Sequence, residues 1–178
     1  MMRIVAGTAR GCRLRAPRGL ITRPTSDKVR GAVFNLLGQF FEGGVVLDLY
    51  AGSGALALEA LSRGFERAVC VEREREAVVT IRRNAEACRL ADRVEIVREK
   101  VEVALPRLPP AAFALALVDP PYQVGPEGAL ARLAPLLAPG ALAVAEHAVR
   151  RPPADAYGAL ALAFRRGYGD TGVSIYHL

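Results

Sequence analysis

Residues 119–122 read Asp-Pro-Pro-Tyr, directly after the apolar run Ala114-Leu115-Ala116-Leu117-Val118. The run has the composition of a buried strand, and two consecutive prolines force the backbone out of the sheet where it ends. The turn gathers the Asp119 carboxylate, the carbonyls of Pro120 and Pro121 and the ring of Tyr122. That set suits a flat ring carrying an exocyclic amine. The ring stacks on Tyr122, while its NH2 donates to Asp119 and to a main-chain carbonyl such as that of Pro120. A strand followed by Asp-Pro is also an ordinary turn, so this reading depends on the rest of the chain.

A second group lies upstream, in Val46-Leu47-Asp48-Leu49-Tyr50-Ala51-Gly52-Ser53-Gly54-Ala55-Leu56. Gly52 and Gly54 let the backbone turn tightly and come close to a ligand. A helix starting near Ala55 points N–H groups into the same space. A third glycine would strengthen a dinucleotide reading, but Ala57 stands there. The next strand ends at Glu72, 24 residues after Asp48. An acid there can accept both hydroxyls of a ribose, in NAD-binding sheets as in others. Asp48 is more telling. An acid just ahead of the glycine turn can receive a charged amine, which S-adenosylmethionine offers and NAD does not.

These groups need a sheet whose strands end together. From residue 45 onward the pattern alternates strand and helix. Strands are expected at 45–50, 68–72, 94–97, 115–119 and 141–146, with helices at 55–63, 74–88 and 128–137. Pro139-Gly140 reads as a turn before the fifth strand. Two further strands near 159–166 and 173–176, joined through Gly167–Gly172, read as an antiparallel edge hairpin. Repeated βα units predict an α/β fold with a mostly parallel sheet and helices on both faces. Ahead of it, Thr25 or Ser26 is a candidate N-cap for a helix reaching about Gln39, with Phe34 on its apolar face. Residues 1–23 read as a basic β-hairpin extension and 24–178 as the main domain.

At 178 residues, 52% hydrophobic and 24% charged, the chain fits one globular domain. No apolar run is long enough to span a bilayer. The start lacks a signal-peptide stretch, so a cytoplasmic location is expected. Cys12, Cys70 and Cys88 have no metal-ligand spacing and are expected to be free thiols, with Cys70 packed in a strand. Two histidines give no ground for a metal site. The net charge of +6 is unevenly placed: residues 1–30 carry eight cations against Asp27 alone. A basic end on a near-neutral body suits a polyanion such as RNA, and equally a solvated basic face.

Asp48–Gly54, Glu72 and Asp119–Tyr122 together resemble the S-adenosylmethionine-dependent methyltransferases that act on an amino nitrogen. The block Arg23-Pro24-Thr25-Ser26-Asp27-Lys28-Val29-Arg30 with Phe34-Asn35 narrows the resemblance, as do Gly54–Gly64, Tyr168-Gly169-Asp170-Thr171 and Ser174-Ile175-Tyr176. The whole chain is similar to the bacterial guanine(966)-N(2) methyltransferases of 16S ribosomal RNA. The resemblance implies a Rossmann-like class I methyltransferase with a seven-stranded, mostly parallel sheet. It implies S-adenosylmethionine as cofactor, held by Asp48, Tyr50, Ala51, Gly52, Ser53, Gly54, Glu72 and Arg73. Catalysis then falls to Asp119, Pro120, Pro121 and Tyr122. The partner implied is 16S RNA within the small ribosomal subunit, met by a monomer without metal or membrane.

Other placements are looser. Many methyltransferases hold the adenine amine with Asp or Asn after the third strand, where this chain has Arg98-Glu99-Lys100, so Glu99 is the candidate. Arg3, Arg10, Arg13, Arg15, Arg18 and Arg30 are candidate RNA contacts. Arg23 and Thr25 either close the cofactor pocket or only start the helix. Gly31 stands where family members often carry Glu. An adenine-N6 methyltransferase fits Asp-Pro-Pro-Tyr as well. A non-catalytic RNA-binding module and an NAD-dependent oxidoreductase fit less of the chain.

Overall fold

The computed structural model describes residues 2–17 and 27–178. A two-stranded antiparallel hairpin pairs β1 (Met2–Arg3) with β2 (Arg13–Leu14). Helix α1 (Asp27–Leu37) follows. Then come β3 (Val45–Leu49), α2 (Ala55–Ser62), β4 (Arg67–Val71), α3 (Arg75–Ala87), β5 (Val94–Val97), α4 (Val101–Ala104) and β6 (Phe113–Val118). Helix α5 (Glu127–Leu133) leads to β7 (Leu137–Ala148), β8 (Ala156–Tyr157), β9 (Leu160–Tyr168) and β10 (Thr171–His177).

The main sheet runs β5-β4-β3-β6-β7-β10-β9-β8. Strands β3 to β7 are parallel, and β10 enters antiparallel between β7 and β9. The expected seven strands are present, and the two-residue β8 makes an eighth at the edge. Because β3 pairs with both β4 and β6, the chain order reverses beside it, and ligands bind at such a switch point.

Alternation along the strands divides the core in two. Val46, Leu115, Leu117 and Val144 face α1, α2 and α3. Leu47, Leu49, Ala116 and Val118 face α4 and α5. All eight residues of α2 are buried, and each buried leucine contributes about 1.5–3 kcal/mol. The hairpin shares this core, since Ile4 and Leu14 lie in the same apolar cluster as α2. Gly7, in the left-handed region at φ 83°, lies so close to α2 that a Cβ there would fall 1.8 Å from the Ser62 carbonyl oxygen.

Three expectations change. Pro139-Gly140 does not precede the fifth strand; it lies inside β7, which bulges where Leu137 pairs with Phe113 and Leu142 with Leu115. The cysteines are not three free thiols. Cys12 and Cys88 are disulfide-bonded with Cα atoms 5.7 Å apart, because β2 lies along α3, a proximity no local spacing reveals. Cys70 is free and buried in β4, where burial pushes its thiol well up. Arg30 is not a surface contact: it is fully buried, and its Nη2 donates to Asp27 at 2.7 Å and to the Arg3 carbonyl. Its Nε reaches Glu59 at 3.4 Å, so Arg30 joins α1, α2 and the hairpin.

Candidate active site

The loop after β3 begins with Tyr50 at φ 62°, an uncommon conformation for a residue with a side chain, and such outliers cluster at functional sites. Gly52 and Gly54 continue it at φ 55° and 74°. Asp48, at the end of β3, is 1% exposed, and its Oδ2 accepts the N–H of Ala57 at 3.1 Å, capping α2 from a neighbouring strand. Its Oδ1 has no hydrogen-bond partner among the described residues. Burial pushes the Asp48 carboxyl up to about 8, against the Ala57 N–H, and the nearby Asp119 and Glu72 add to the rise.

Glu72 follows β4. One carboxylate oxygen accepts the Gly52 N–H at 2.8 Å and the other the Glu74 N–H at 2.9 Å. Both oxygens are therefore fixed in direction, with lone pairs left for hydroxyl donors. Asn84 holds the loop from the far side, donating to the Ser53 carbonyl at 2.9 Å and the Arg15 carbonyl at 3.0 Å. Its Oδ1 accepts the Arg15 N–H at 2.9 Å, so the N-terminal segment is tied to the glycine loop.

A cavity of about 640 Å³ opens at the carboxyl ends of β3, β4 and β6. Asp48, Tyr50, Ala51, Gly52, Ser53, Glu72, Arg73 and Glu99 line it, together with Asp119, Pro120, Pro121 and Tyr122. Gly54 does not; it makes the turn and packs on Ile81, where a Cβ would come within 3.2 Å of Cγ2. Glu99 is oriented by Arg107, whose Nη1 lies 2.8 and 3.0 Å from its two oxygens. Arg73 is exposed and paired with Glu74 at 3.0 Å.

The prolines carry the chain off β6 toward the cavity mouth. Pro121 gives its carbonyl to the N–H groups of Val124 and Gly125 at 2.8 and 3.2 Å, which leaves Pro120 as the candidate acceptor for a ligand amine. Tyr122 is 45% exposed, with its ring available for stacking and its hydroxyl 3.2 Å from Thr171 Oγ1.

Other lining residues escaped the sequence reading. Met2, Ala16, Pro17, Lys28 and Val29 make the N-terminal side a wall of the cavity. Glu146, Tyr168, Gly169 and Thr171 come from β7 and the β9–β10 turn. For the last three, the Tyr-Gly-Asp-Thr block was the signal. Of the candidate RNA contacts, Arg3, Arg10, Arg13 and Arg15 are exposed on the docked hairpin segment. Arg3 also lies 3.8 Å from Asp27. Arg18, Arg23 and Thr25, with the candidate N-cap Ser26, lie outside the described residues. Phe34 is fully buried, as its apolar helix face required.

The site residues fit S-adenosylmethionine: a buried carboxylate oxygen without a donor among the described residues suits an ammonium, and Glu72 suits ribose hydroxyls. A parallel sheet ending in an antiparallel hairpin, with a glycine loop between two strand-end acids, defines a Rossmann-like methyltransferase fold. The chain belongs to the family described as Conserved hypothetical protein 95, whose model matches residues 2–177. It is 38% identical to the Bacillus subtilis protein named "Putative rRNA methyltransferase YlbH", the alignment covering 98% of each. It is 32% identical to Ribosomal RNA small subunit methyltransferase D of Escherichia coli K12, over 70% of this chain and 62% of that protein. A hypothetical protein of Thermus thermophilus superimposes with a TM-score of 0.84 at 31% identity, with all of both chains covered. An RNA methyltransferase of Salinibacter ruber, solved with S-adenosyl-L-homocysteine, shares the fold at 20% identity with a TM-score of 0.64, covering 86% of this chain and 92% of that one.

Proposed function

We propose that this protein transfers a methyl group from S-adenosylmethionine to the exocyclic N2 amine of a guanine in 16S ribosomal RNA. One observation carries the reading: the Asp119–Tyr122 turn opens into the same cavity as Asp48 and Glu72. An amine acceptor and a sulfonium donor can therefore meet there. The small-subunit RNA substrate is supported by the names of the Bacillus and Escherichia relatives.

The cofactor supplies an already activated methyl group, so the protein's task is alignment for in-line transfer. Asp48 holds the ammonium and Glu72 the ribose. An exocyclic ring amine is a weak nucleophile because its lone pair is delocalised into the ring. Hydrogen bonds from the NH2 to Asp119 and the Pro120 carbonyl favour a tetrahedral nitrogen and free that lone pair. Asp119 then takes the proton released on transfer. Tyr122 stacks on a base swung out of its RNA loop. Arg10, Arg13 and Arg15 contact phosphates from the docked hairpin segment.

The test is labelled methyl transfer from S-adenosylmethionine to naked 16S RNA, to 30S particles and to DNA, followed by nucleoside analysis. N2-methylguanosine from RNA or particles is the expected product. N6-methyladenosine, or its deoxy form from DNA, would establish the adenine reading instead.

A further inference from the structure

Strands β6 and β7 are parallel neighbours with Val118 opposite Ala145. The next positions, Asp119 and Glu146, therefore stand side by side at the end of the sheet. Parallel neighbours lie about 4.8 Å apart and point equivalent side chains the same way. Glu146 is 6% exposed and lines the 640 Å³ cavity. It also lines a smaller cavity of about 130 Å³ beneath residues 120–127. Pro120, Tyr122, Gln123 and Val124 are the other walls common to both. The adjacent His147 has a different task. Its Nδ1 meets the Ala148 carbonyl at 3.0 Å and its Nε2 the Ser174 hydroxyl at 2.9 Å, so its ring is spent on the hairpin.

Two neighbouring carboxylates present two rows of acceptors and no donor. Guanine offers the complement on one edge, where the N2 amine and the N1–H are adjacent donors. Adenine offers an amine beside a bare ring nitrogen, which would place a lone pair against a carboxylate. We infer that Glu146 is the specificity-determining residue, accepting the N1–H of the target guanine while Asp119 accepts from its N2 amine. This rests on the guanine-N2 reading above and adds the residue that enforces it. A site built to accept a donor rejects an analogue that lacks one, because the buried acceptor is left unpaired.

The analogue that isolates this contact is 2-aminopurine, which keeps the amine at position 2 but has a bare N1. RNA carrying guanine or 2-aminopurine at the methylated position is compared by kcat/KM. The wild-type protein is expected to prefer guanine by about 100-fold or more. Glu146→Gln can donate from its amide to a bare N1, and should narrow that preference by at least about 10-fold while cofactor affinity stays within about 3-fold. Equal use of both RNAs by the wild-type protein would overturn the inference without any variant. So would a preference unchanged in Glu146→Gln when N2-methylguanosine is still the product. If the wild-type product is not N2-methylguanosine, the guanine-N2 reading fails first and this inference with it.

Discussion

Two buried carboxylates on the same side of the sheet have opposite surroundings. Glu59, in the middle of α2, is fully buried and saturated. It accepts the N–H groups of Val5 and Ala6 at 2.8 and 3.1 Å and pairs with Arg63 at 2.7 Å and Arg30 at 3.4 Å. Asp48, one strand away, is buried almost as completely, yet one of its oxygens has no partner among the described residues. A saturated buried charge holds parts together, here the hairpin, α1 and α2. A buried charge with an acceptor to spare at a cavity wall is strain that a ligand can relieve. The difference separates scaffold from site more sharply than burial or charge alone.

The comparison is broken most severely at the reacting end. Asp119→Ala should lower methyl transfer by about 10²–10⁴-fold, with calorimetric affinity for S-adenosylmethionine nearly unchanged. Loss of cofactor binding in the folded variant would move Asp119 into the cofactor's own contacts. Glu59→Ala should act oppositely, costing about 3–5 kcal/mol of stability because two arginines lose a buried partner. Denaturant unfolding of the variant measures it, and a cost under about 1 kcal/mol would mean the cluster does not hold the hairpin. Glu72→Ala sits between these, since its oxygens both shape the loop and face the cavity. It should weaken cofactor binding by about 1–3 kcal/mol, and unchanged affinity would remove Glu72 from the site. Tyr122→Phe is the smallest change. It removes only the contact with Thr171, so activity should fall a few-fold while Tyr122→Ala loses the stacking ring and most of the transfer. Equal damage from both would assign the work to the hydroxyl.

The central βα units, the glycine loop and the Pro-Pro turn were legible because each is local: alternation, turn residues and strand-end acids lie within a few positions of one another. Arg30 was not, because its partner Glu59 lies 29 residues away. A signal did exist, since Ala55–Ser62 reads Ala-Leu-Ala-Leu-Glu-Ala-Leu-Ser, and a lone acid in an apolar helix must find buried donors. The Cys12–Cys88 bond spans 76 residues and had no such trace. Glu146 was hidden for a third reason. In the run Ala141–Glu146 it is simply the last residue of a buried strand. Only the register against β6 sets it beside Asp119.

The central claim, that Asp48 holds an acceptor in reserve for a cation, is tested by its proton. Its folded pKa is raised from 3.8 to about 8. The folded protein thus keeps a proton that the unfolded chain loses near 3.8, and Asp48's contribution to stability falls as pH rises through that window. A cation placed beside it favours the charged form and expels the proton. S-adenosylmethionine is titrated calorimetrically near pH 6.5, where its ammonium stays charged, in two buffers of different ionisation enthalpy. The wild-type enthalpy should differ between the buffers by the equivalent of roughly half a proton or more released, and that difference should vanish in Asp48→Asn. A wild-type enthalpy that is the same in both buffers would contradict the assignment.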